Sequence, residues 1–498
     1  MDSKLSTRAV GSAALACALS AALFYVSTGL NPAWWSAWLA PLPVLWISTR
    51  LRWRSAAGVA LLASALGHLS LWHYYRESIL FPLGLSLAAV LAPALLFALA
   101  VLLYRAFAIR QQTWLAILAF PSTMVACEYL LSLGVGTFGN TAYTQMDNVP
   151  VLQIGTLTGI WGIAFVVLLF APLMATIMSA GPERRKFLII ALGVVVGGTF
   201  AYGAWRVRST PVAESTVLVG LVESDTPANF FPQGDDEAMR LMHVYAQQAQ
   251  SLAQRGAKIV VLPEMTAVVR DRISAQIDEL FQSTARSNGV QIVLGVLHVT
   301  EHEKFNEARL FSGTSQPELV YRKRHLVPGL EAGTTPVLDS KVVTTPVGKI
   351  GLEICRDMDY VDPADGYARA QVGLVLAPAW DQGIDRWWHG HMALMRGIEN
   401  GFSIVRNAKR GFLTVSDDRG RVLAETTTSP DRPFTTLLAN VPVHHDATLY
   451  SIWGDWFAWL TLACAGGLLF VQLTARARRS PLRSPGTGHT PARPAAHN

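Results

Sequence analysis

The distribution of apolar residues along the chain is the feature that most constrains its fold. Long apolar runs, broken by short polar clusters, fill residues 1–208, whereas residues 215–445 have the mixed composition of an ordinary globular domain. Hydrophobic residues make up 51% of the chain and charged residues only 15%, which is unusual for a soluble protein. The sequence therefore predicts a membrane-embedded part joined to a globular part.

Eight apolar runs are candidates for helices that cross a bilayer, which takes about 20 residues when every backbone group is hydrogen-bonded within the segment. Seven precede the globular part, at residues 9–30, 33–48, 56–72, 80–104, 114–133, 151–177 and 187–205; the eighth lies within residues 450–474, at 452–473. The first run also has the basic start and short apolar core of a secretory signal, whose cleavage would leave seven helices in the same orientation.

Basic residues in the short connections predict the orientation of this bundle. Five clusters precede the first helix or follow the second, fourth, sixth and eighth, and all fall on one side; they contain Lys4 and Arg8, Arg50 to Arg54, Arg105 and Arg110, Arg184 to Lys186, and Arg476 to Arg479. Lys and Arg in short loops mark the cytoplasmic side, so the globular part is predicted to lie outside and residues 475–498 to form a disordered cytoplasmic tail. Arg206 and Arg208 are exceptions. The net charge of +6 therefore reflects orientation, and no nucleic-acid partner is expected.

The globular part has the pattern of a layered α/β domain. Strands are predicted at residues 215–222, 257–263, 290–297, 348–355 and 372–378, and amphipathic helices at 237–254 and 271–287. Functional sites of such folds lie at the carboxyl ends of strands. Glu264, Cys355 and Trp380 occupy that location.

Three residues of the globular part could perform acyl chemistry. Cys355 is its only cysteine, the other three lying in apolar runs, and a thiol becomes a nucleophile when a base removes its proton. Glu264 follows an apolar run, where a raised pKa would suit it to accept that proton. Lys323 lies in the basic segment YRKRHLVPGLE. Each also has a structural interpretation: a buried small residue, a turn residue and a solvated basic surface.

The order and surroundings of these residues resemble the nitrilase (carbon-nitrogen hydrolase) superfamily, whose triad is Glu, Lys, Cys. VVLPE contains Glu264, YRKRHLVPGLE contains Lys323, and GKIGLEICRD contains Cys355. The resemblance implies an α-β-β-α sandwich in which Glu331, eight residues after the lysine, helps to orient it. Residues 387–425 are similar to the closing helix and strands of that superfamily.

An outward-facing domain inserted between the seventh and eighth helices narrows the resemblance to the apolipoprotein N-acyltransferases. That resemblance implies a bacterial inner-membrane enzyme with its catalytic domain on the periplasmic side. It also implies a phospholipid acyl donor, a diacylglyceryl apolipoprotein as acceptor, a thioester on Cys355 and no cofactor. His389 and His391, two residues apart on a predicted helix, do not share a face, so no metal site is expected.

Two segments near the triad differ from the usual pattern of that family. Arg356 and Asp357 follow the cysteine where the family has Tyr-Glu, and residues 328–333 retain the family's glutamate, Glu331, in altered surroundings. Asp357 keeps an acid at its position. Arg356 could lower the pKa of the thiol, hold an anionic headgroup, or form a structural salt bridge.

Aromatic residues supply the predicted substrate-binding surface. Phe230 and Phe231 could replace the family's aromatic lid, and Trp380 follows a predicted strand. Trp387 and Trp388 could contact lipid at the membrane interface or pack within the protein. The sequence leaves three functions open: a phospholipid-dependent N-acyltransferase, a membrane-anchored amidase or acyltransferase with another acceptor, and a non-catalytic sensor or scaffold.

Overall fold

The computed structural model describes residues 7–209, 215–312, 319–338 and 341–477, so most of the predicted tail lies outside the described residues. The first described segment is helical. Its helices are α1 (Thr7–Ser27), α2 (Trp34–Leu39), α3 (Leu42–Ser48), α4 (Trp53–His68), α5 (Leu83–Ala108), α6 (Thr113–Val135), α7 (Val149–Leu152), α8 (Gly155–Thr158), α9 (Ile160–Ser179) and α10 (Pro182–Arg208). The predicted run at 33–48 forms two helices because Pro41 lacks the N–H that would continue α2.

The globular part contains both strands and helices, as the sequence predicts. They are β1 (Thr216–Glu223), α11 (Asp235–Gln254), β2 (Ile259–Val261), β3 (Val268–Arg270), α12 (Asp271–Asn288), β4 (Gln291–Val299), β5 (Lys304–Phe311), β6 (Leu319–Arg322), β7 (Val342–Thr345), β8 (Gly348–Leu352), α13 (Ala364–Arg369), β9 (Leu374–Trp380), α14 (Arg386–Asn400), β10 (Ser403–Lys409), β11 (Phe412–Ser416), β12 (Val422–Thr427) and β13 (Thr435–Pro442). Two helices follow, α15 (Leu449–Trp453) and α16 (Trp456–Ala477).

Two sheets form the centre of the globular part. The first has the order β13-β1-β2-β4-β5-β6, with β3 paired to β4, and the second has the order β12-β11-β10-β9-β8-β7. Strands β1, β2 and β4 run parallel, as do β8, β9 and β10. Their carboxyl ends can therefore present side chains at a common edge.

Alternating side chains in these strands build the layers of a sandwich. One set packs between the sheets, including Val219, Val261 and Leu376. The other set packs outward, where Val260 and its neighbours meet α11 and α12, and Val375 and its neighbours meet α13 and α14. The order of layers is α-β-β-α, as the resemblance implies.

Six helices of the described segments are long and apolar enough to cross a membrane: α1, α5, α6, α9, α10 and α16. Several polar contacts gather at one end of this bundle. Arg105 donates to the carbonyl oxygens of Ser48 and Leu51 at 2.9 and 2.6 Å, and Arg110 donates to Gln472 at 2.6 Å. The predicted basic clusters that follow the second and fourth apolar runs therefore lie together.

The globular part contacts the other end of the bundle through several loops and helix ends. The backbone N–H of Thr137, just after α6, donates to the Asp359 carbonyl at 2.7 Å. Arg206 near the end of α10 pairs with Asp446 at 3.1 Å, which explains a basic residue at this end. The buried Glu399 carboxylate accepts the backbone N–H of Ile160 at 2.8 Å, where it complements the helix dipole of α9.

Candidate active site

The three residues predicted to perform chemistry lie just beyond the ends of strands in both sheets. Glu264 follows β2, Lys323 directly follows β6, and Cys355 follows β8. The backbone N–H of Glu264 approaches the Ala379 carbonyl on β9 at 3.4 Å, which joins the end of the first sheet to the second. The site therefore forms where the two sheets meet.

Lys323 lies between two carboxylates in the protein interior. Its Nζ donates to Glu264 Oε1 and to Glu331 Oε2, both at 2.8 Å, and its side chain is only 1% exposed. Although burial alone would lower the pKa of Lys323, the two carboxylates raise it well above its ordinary value. The lysine therefore stays charged. The resemblance implied this neighbourhood of Glu331 and Lys323.

Asn306 links the same two carboxylates, and the sequence analysis missed it. Its amide nitrogen donates to Glu264 Oε1 at 2.6 Å and to Glu331 Oε1 at 2.7 Å. Asn306 lies opposite Lys323, whose backbone N–H donates to the Asn306 carbonyl at 2.9 Å. The sequence carries no local signal for this role, because the burial of Asn306, Glu307 and Arg309 in β5 is apparent only in the structure.

Cys355 lies at a sharp turn after β8. Its φ of 47° is in the left-handed region, which is uncommon for a residue other than glycine and is found at strained functional positions. The chain then continues into a short 3₁₀ helix over Cys355–Asp359. The thiol donates to the Trp380 carbonyl oxygen across 3.6 Å. This turn points the sulfur towards the end of β9.

The electrostatic surroundings keep the Cys355 thiol protonated at rest. Burial raises its pKa well above the ordinary value and the nearby Glu264 carboxylate raises it further, while Lys323 and Arg406 oppose them. Burial also raises the pKa of Glu264, with Lys323 opposing. Of the two Glu264 oxygens, Oε2 has no hydrogen-bond partner among the described residues. The site thus holds a thiol with a buried carboxylate close by, and that carboxylate has an unused acceptor.

Asp357 connects the turn that contains Cys355 to the segment that contains Lys323. One of its oxygens accepts from the Tyr321 hydroxyl at 2.7 Å, and the other accepts from the backbone N–H of His325 at 2.8 Å. Both partners flank Lys323 in the chain. The carboxylate that follows the cysteine therefore fixes the two loops relative to each other.

Arg356 points away from the thiol towards the bundle. It donates to the Leu326 carbonyl and, at 3.3 Å, to the Val135 carbonyl at the end of α6, and its Nε lies 3.9 Å from Asp359. Of the three roles considered for it, these contacts favour the structural salt bridge. They join the turn of the cysteine directly to a bundle helix.

The five predicted aromatic residues divide into two groups. Phe230 and Phe231 pack edge-on against Trp380, with ring centroids 5.1 and 5.6 Å apart. Trp388 is 5% exposed and packs with Phe138 and Tyr143 of the bundle, while Trp387 stacks on His391 at 4.7 Å. The first group includes Trp380, whose carbonyl oxygen accepts from the thiol, whereas Trp387 and Trp388 lie on α14, packed against the bundle.

Gly295 permits the close approach that positions Glu264. A Cβ at this residue would lie 2.2 Å from the Pro263 carbonyl oxygen and 2.8 Å from the Cα of Glu264. Gly295→Ala is therefore expected to displace Glu264 and to lower the rate of Cys355 acylation by about 10²-fold, since small displacements of catalytic groups are costly. A time course by intact mass spectrometry measures the rate of Cys355 acylation. Gly366→Ala is the control for a folded domain, because Gly366 is helical and an added Cβ there meets no atom within 4 Å. An unchanged acylation rate in Gly295→Ala would contradict the role of this contact.

This arrangement of carboxylate, lysine and cysteine on an α-β-β-α sandwich is similar to that of the carbon-nitrogen hydrolases. The family model for carbon-nitrogen hydrolases matches residues 233–443. Among solved structures, an amidase from Nesterenkonia is similar at 18% identity, covering 47% of this chain and 95% of that one, with a TM-score of 0.37. A Saccharomyces cerevisiae member of branch 10 of the nitrilase superfamily is similar at 18% identity, covering 49% and 95%, with a TM-score of 0.39.

The bundle is similar to that of one particular family of proteins. The family model for the N-terminal domain of apolipoprotein N-acyltransferases matches residues 20–173. The apolipoprotein N-acyltransferase of Haemophilus ducreyi is 24% identical, over 88% of this chain and 92% of that protein. The Geobacter metallireducens protein of the same name is also 24% identical, over 92% and 94%. The chain therefore resembles the apolipoprotein N-acyltransferases over most of its length, and it is a membrane protein.

Proposed function

We propose that this protein transfers an acyl chain from a membrane phospholipid to the α-amine of the diacylglyceryl-cysteine of bacterial lipoproteins, through a thioester on Cys355. The observation that carries the proposal is the contact of the cysteine turn with the bundle, through Arg356 and through Thr137. This contact holds the thiol beside the membrane part of the chain. Both proposed substrates are lipids and meet the enzyme there.

We propose eight membrane crossings, with the globular part outside, and contacts at the ends of the helices support this arrangement. The broken pair α2 and α3 begins beside Gln145, which contacts Trp38, and ends beside Arg105. Helix α4 returns from that end, because Ser70, just beyond it, contacts Thr28 and the following Tyr74 contacts His389. With the six long helices, these make eight crossings.

The location we propose is the bacterial inner membrane, with the globular part on the periplasmic side. The end opposite the globular part carries the basic loops, which mark the cytoplasmic side. The domains proposed are the helices of residues 1–208, a catalytic domain at 215–445, the last helix at 450–474 and a cytoplasmic tail at 475–498.

In the first half of the reaction, Glu264 accepts the proton of the Cys355 thiol and the sulfur attacks the ester carbonyl of the phospholipid. Lys323 donates hydrogen bonds to two carboxylates, and its third N–H can stabilise the oxyanion that forms. The ester C–O bond then breaks, and Glu264 returns the proton to the departing oxygen. A lysophospholipid leaves and the acyl chain remains on sulfur.

In the second half, the amine of the lipoprotein attacks the thioester carbonyl while Glu264 accepts a proton from the nitrogen. The S–C bond breaks, the amide forms, and the thiolate regains its proton from Glu264. A positioned base contributes about 10²- to 10⁴-fold to such steps. Asn306, Glu331 and Lys323 keep Glu264 in one orientation through both halves.

A defined mixture of purified protein, phospholipid and a diacylglyceryl-cysteine peptide tests the proposal. We expect N-acylated peptide and lysophospholipid in equal amounts, because each acyl chain that leaves the donor reaches the acceptor. Mass spectrometry and lipid chromatography quantify both products. Free fatty acid without acylated peptide would instead support the membrane-anchored hydrolase, and acylation of another amine would support a different acceptor.

A further inference from the structure

Lys409 is a fully buried lysine beside the site for which the proposed mechanism has no use. It is the last residue of β10 and lies opposite Trp380 in the parallel pairing of β10 with β9. Its side chain is 0% exposed. Fully buried lysines are rare in proteins because an unpaired ammonium is costly to remove from water. The contacts of its ammonium must therefore compensate for the loss of water.

The ammonium of Lys409 joins two separate segments of the chain. Its Nζ donates to the carbonyl oxygen of Phe230 at 2.6 Å and to the carbonyl oxygen of Met265 at 3.1 Å. Phe230 lies in the loop between β1 and α11, and Met265 directly follows Glu264. One cation therefore fixes the loop that carries Phe230 and Phe231 to the turn that carries the proposed base.

The same ammonium also lies against three aromatic rings. Nζ is 4.7 Å from the ring centroid of Trp380, 5.5 Å from that of Phe230 and 5.8 Å from that of Phe231. All three separations are within the range of cation–π attraction. We call these three rings, with Lys409 behind them, the aromatic wall. The backbone of Trp380 accepts the hydrogen bond of the Cys355 thiol, so one residue of the wall also contacts the sulfur.

Among the residues that the structure describes, no carboxylate forms a direct ion pair with Lys409. Both oxygens of the fully buried Glu223 lack a hydrogen-bond partner among the described residues, and burial raises the pKa of Glu223 to about 8, with Lys409 opposing. Burial therefore favours the protonated form of Glu223. The ammonium of Lys409 therefore donates its hydrogen bonds to the two carbonyl oxygens, and the aromatic rings stabilise its charge.

We propose that Lys409 is a positioning residue that holds the aromatic wall beside the thioester and so determines whether an amine or water takes the acyl chain. This inference rests on the proposed function. Two reactions compete for the thioester: the amine forms an N–C bond as the S–C bond breaks, giving an amide and the thiol. Water forms an O–C bond as the S–C bond breaks, giving a fatty acid and the thiol. An apolar wall disfavours water.

The ratio of acylated peptide to free fatty acid measures this competition independently of the total rate. In Lys409→Met, a chain of similar length without charge or donors, we expect that ratio to fall at least about tenfold. Lys409→Arg keeps the cation and the hydrogen-bond donors, so its ratio of acylated peptide to free fatty acid should lie between those of Lys409→Met and the parent. Lys349→Met is the matched control, because Lys349 is exposed and donates to the Ala370 carbonyl at 2.9 Å, outside the site.

A second variant keeps the test decisive if Lys409→Met does not fold. Phe231→Leu removes one ring of the wall and keeps an apolar side chain, and it should lower the same ratio. A folded Phe231→Leu or Lys409→Met with the parent ratio would overturn the role of the wall. A parent protein that forms no thioester from phospholipid would instead contradict the proposed function, so the two failures are distinguishable.

Discussion

Cys355→Ala is expected to abolish acyl transfer and to leave no acyl adduct on the protein. The sulfur is the only atom of the site that can carry the chain in the proposed mechanism, and loss of a nucleophile lowers turnover by about 10³-fold or more. Cys355→Ser should also be inactive, because a hydroxyl in surroundings that raise the pKa of a thiol is ionised even less readily. Intact mass after incubation with phospholipid measures the adduct.

The other cysteines provide the control for this experiment. Cys127→Ser changes a thiol within α6, away from the site, and should retain both the adduct and transfer. Cys355→Ser keeps a donor for the Trp380 carbonyl, so its fold should be unaffected. An acyl adduct that survives in Cys355→Ala would assign the nucleophile to another residue and refute the proposed triad.

Lys323→Met is expected to cost both stability and activity. It leaves the buried carboxylates of Glu264 and Glu331 without the cation that lies between them, and breaking a buried ion pair costs about 3–5 kcal/mol of unfolding free energy. It also removes the proposed oxyanion donor, so acylation of Cys355 should slow by about 10²- to 10³-fold. Thermal unfolding in detergent and the time course of the adduct measure the two effects.

The pH dependence of this variant separates electrostatics from packing. Glu264 already has a raised pKa in the folded protein, and without Lys323 it should rise further. A group with a raised folded-state pKa favours folding at low pH and loses that contribution as pH increases through the folded-state pKa. The stability deficit of Lys323→Met should therefore shrink at acidic pH.

Two further variants complete the comparison. Adding Glu331→Gln to Lys323→Met removes one of the uncompensated charges, so it should restore part of the stability and none of the acylation rate. Lys349→Met, at an exposed lysine, should match the parent in both measurements. A Lys323→Met protein as stable as the parent at neutral pH would show that the two carboxylates do not need this cation.

Much of the fold could be predicted because its signals are local. The five predicted strands and both amphipathic helices are present, since each depends on a short run of apolar residues with a clear period. The break at Pro41 was missed because an apolar run was counted without weighing the proline within it. The proximity of Glu264, Lys323 and Glu331 was expected from a family resemblance, not from spacing alone.

The rest of the site depends on contacts between segments far apart in the chain. Asn306 reaches Glu264 only because β5 and β6 pair in one particular register, which no local pattern specifies. Arg356 appeared to be a candidate for tuning the thiol, yet its guanidinium turns towards a carbonyl at the end of α6. The role of Lys409 could not be predicted, because nothing in the sequence indicates that three rings lie near its ammonium.

In the proposed membrane arrangement, the link between α6 and the cysteine turn also sets the distance of the sulfur from the bilayer. Helix α6 has 23 residues, which at about 1.5 Å per residue span the hydrocarbon layer, and the next two residues meet Tyr360 and Asp359. The distance of the thiol from the lipid is thus set by a helix rather than by a flexible linker. Insertions between α10 and β1, where the chain enters the globular domain, would leave that distance unchanged. One added turn at the end of α6 would move the sulfur away from its lipid substrates.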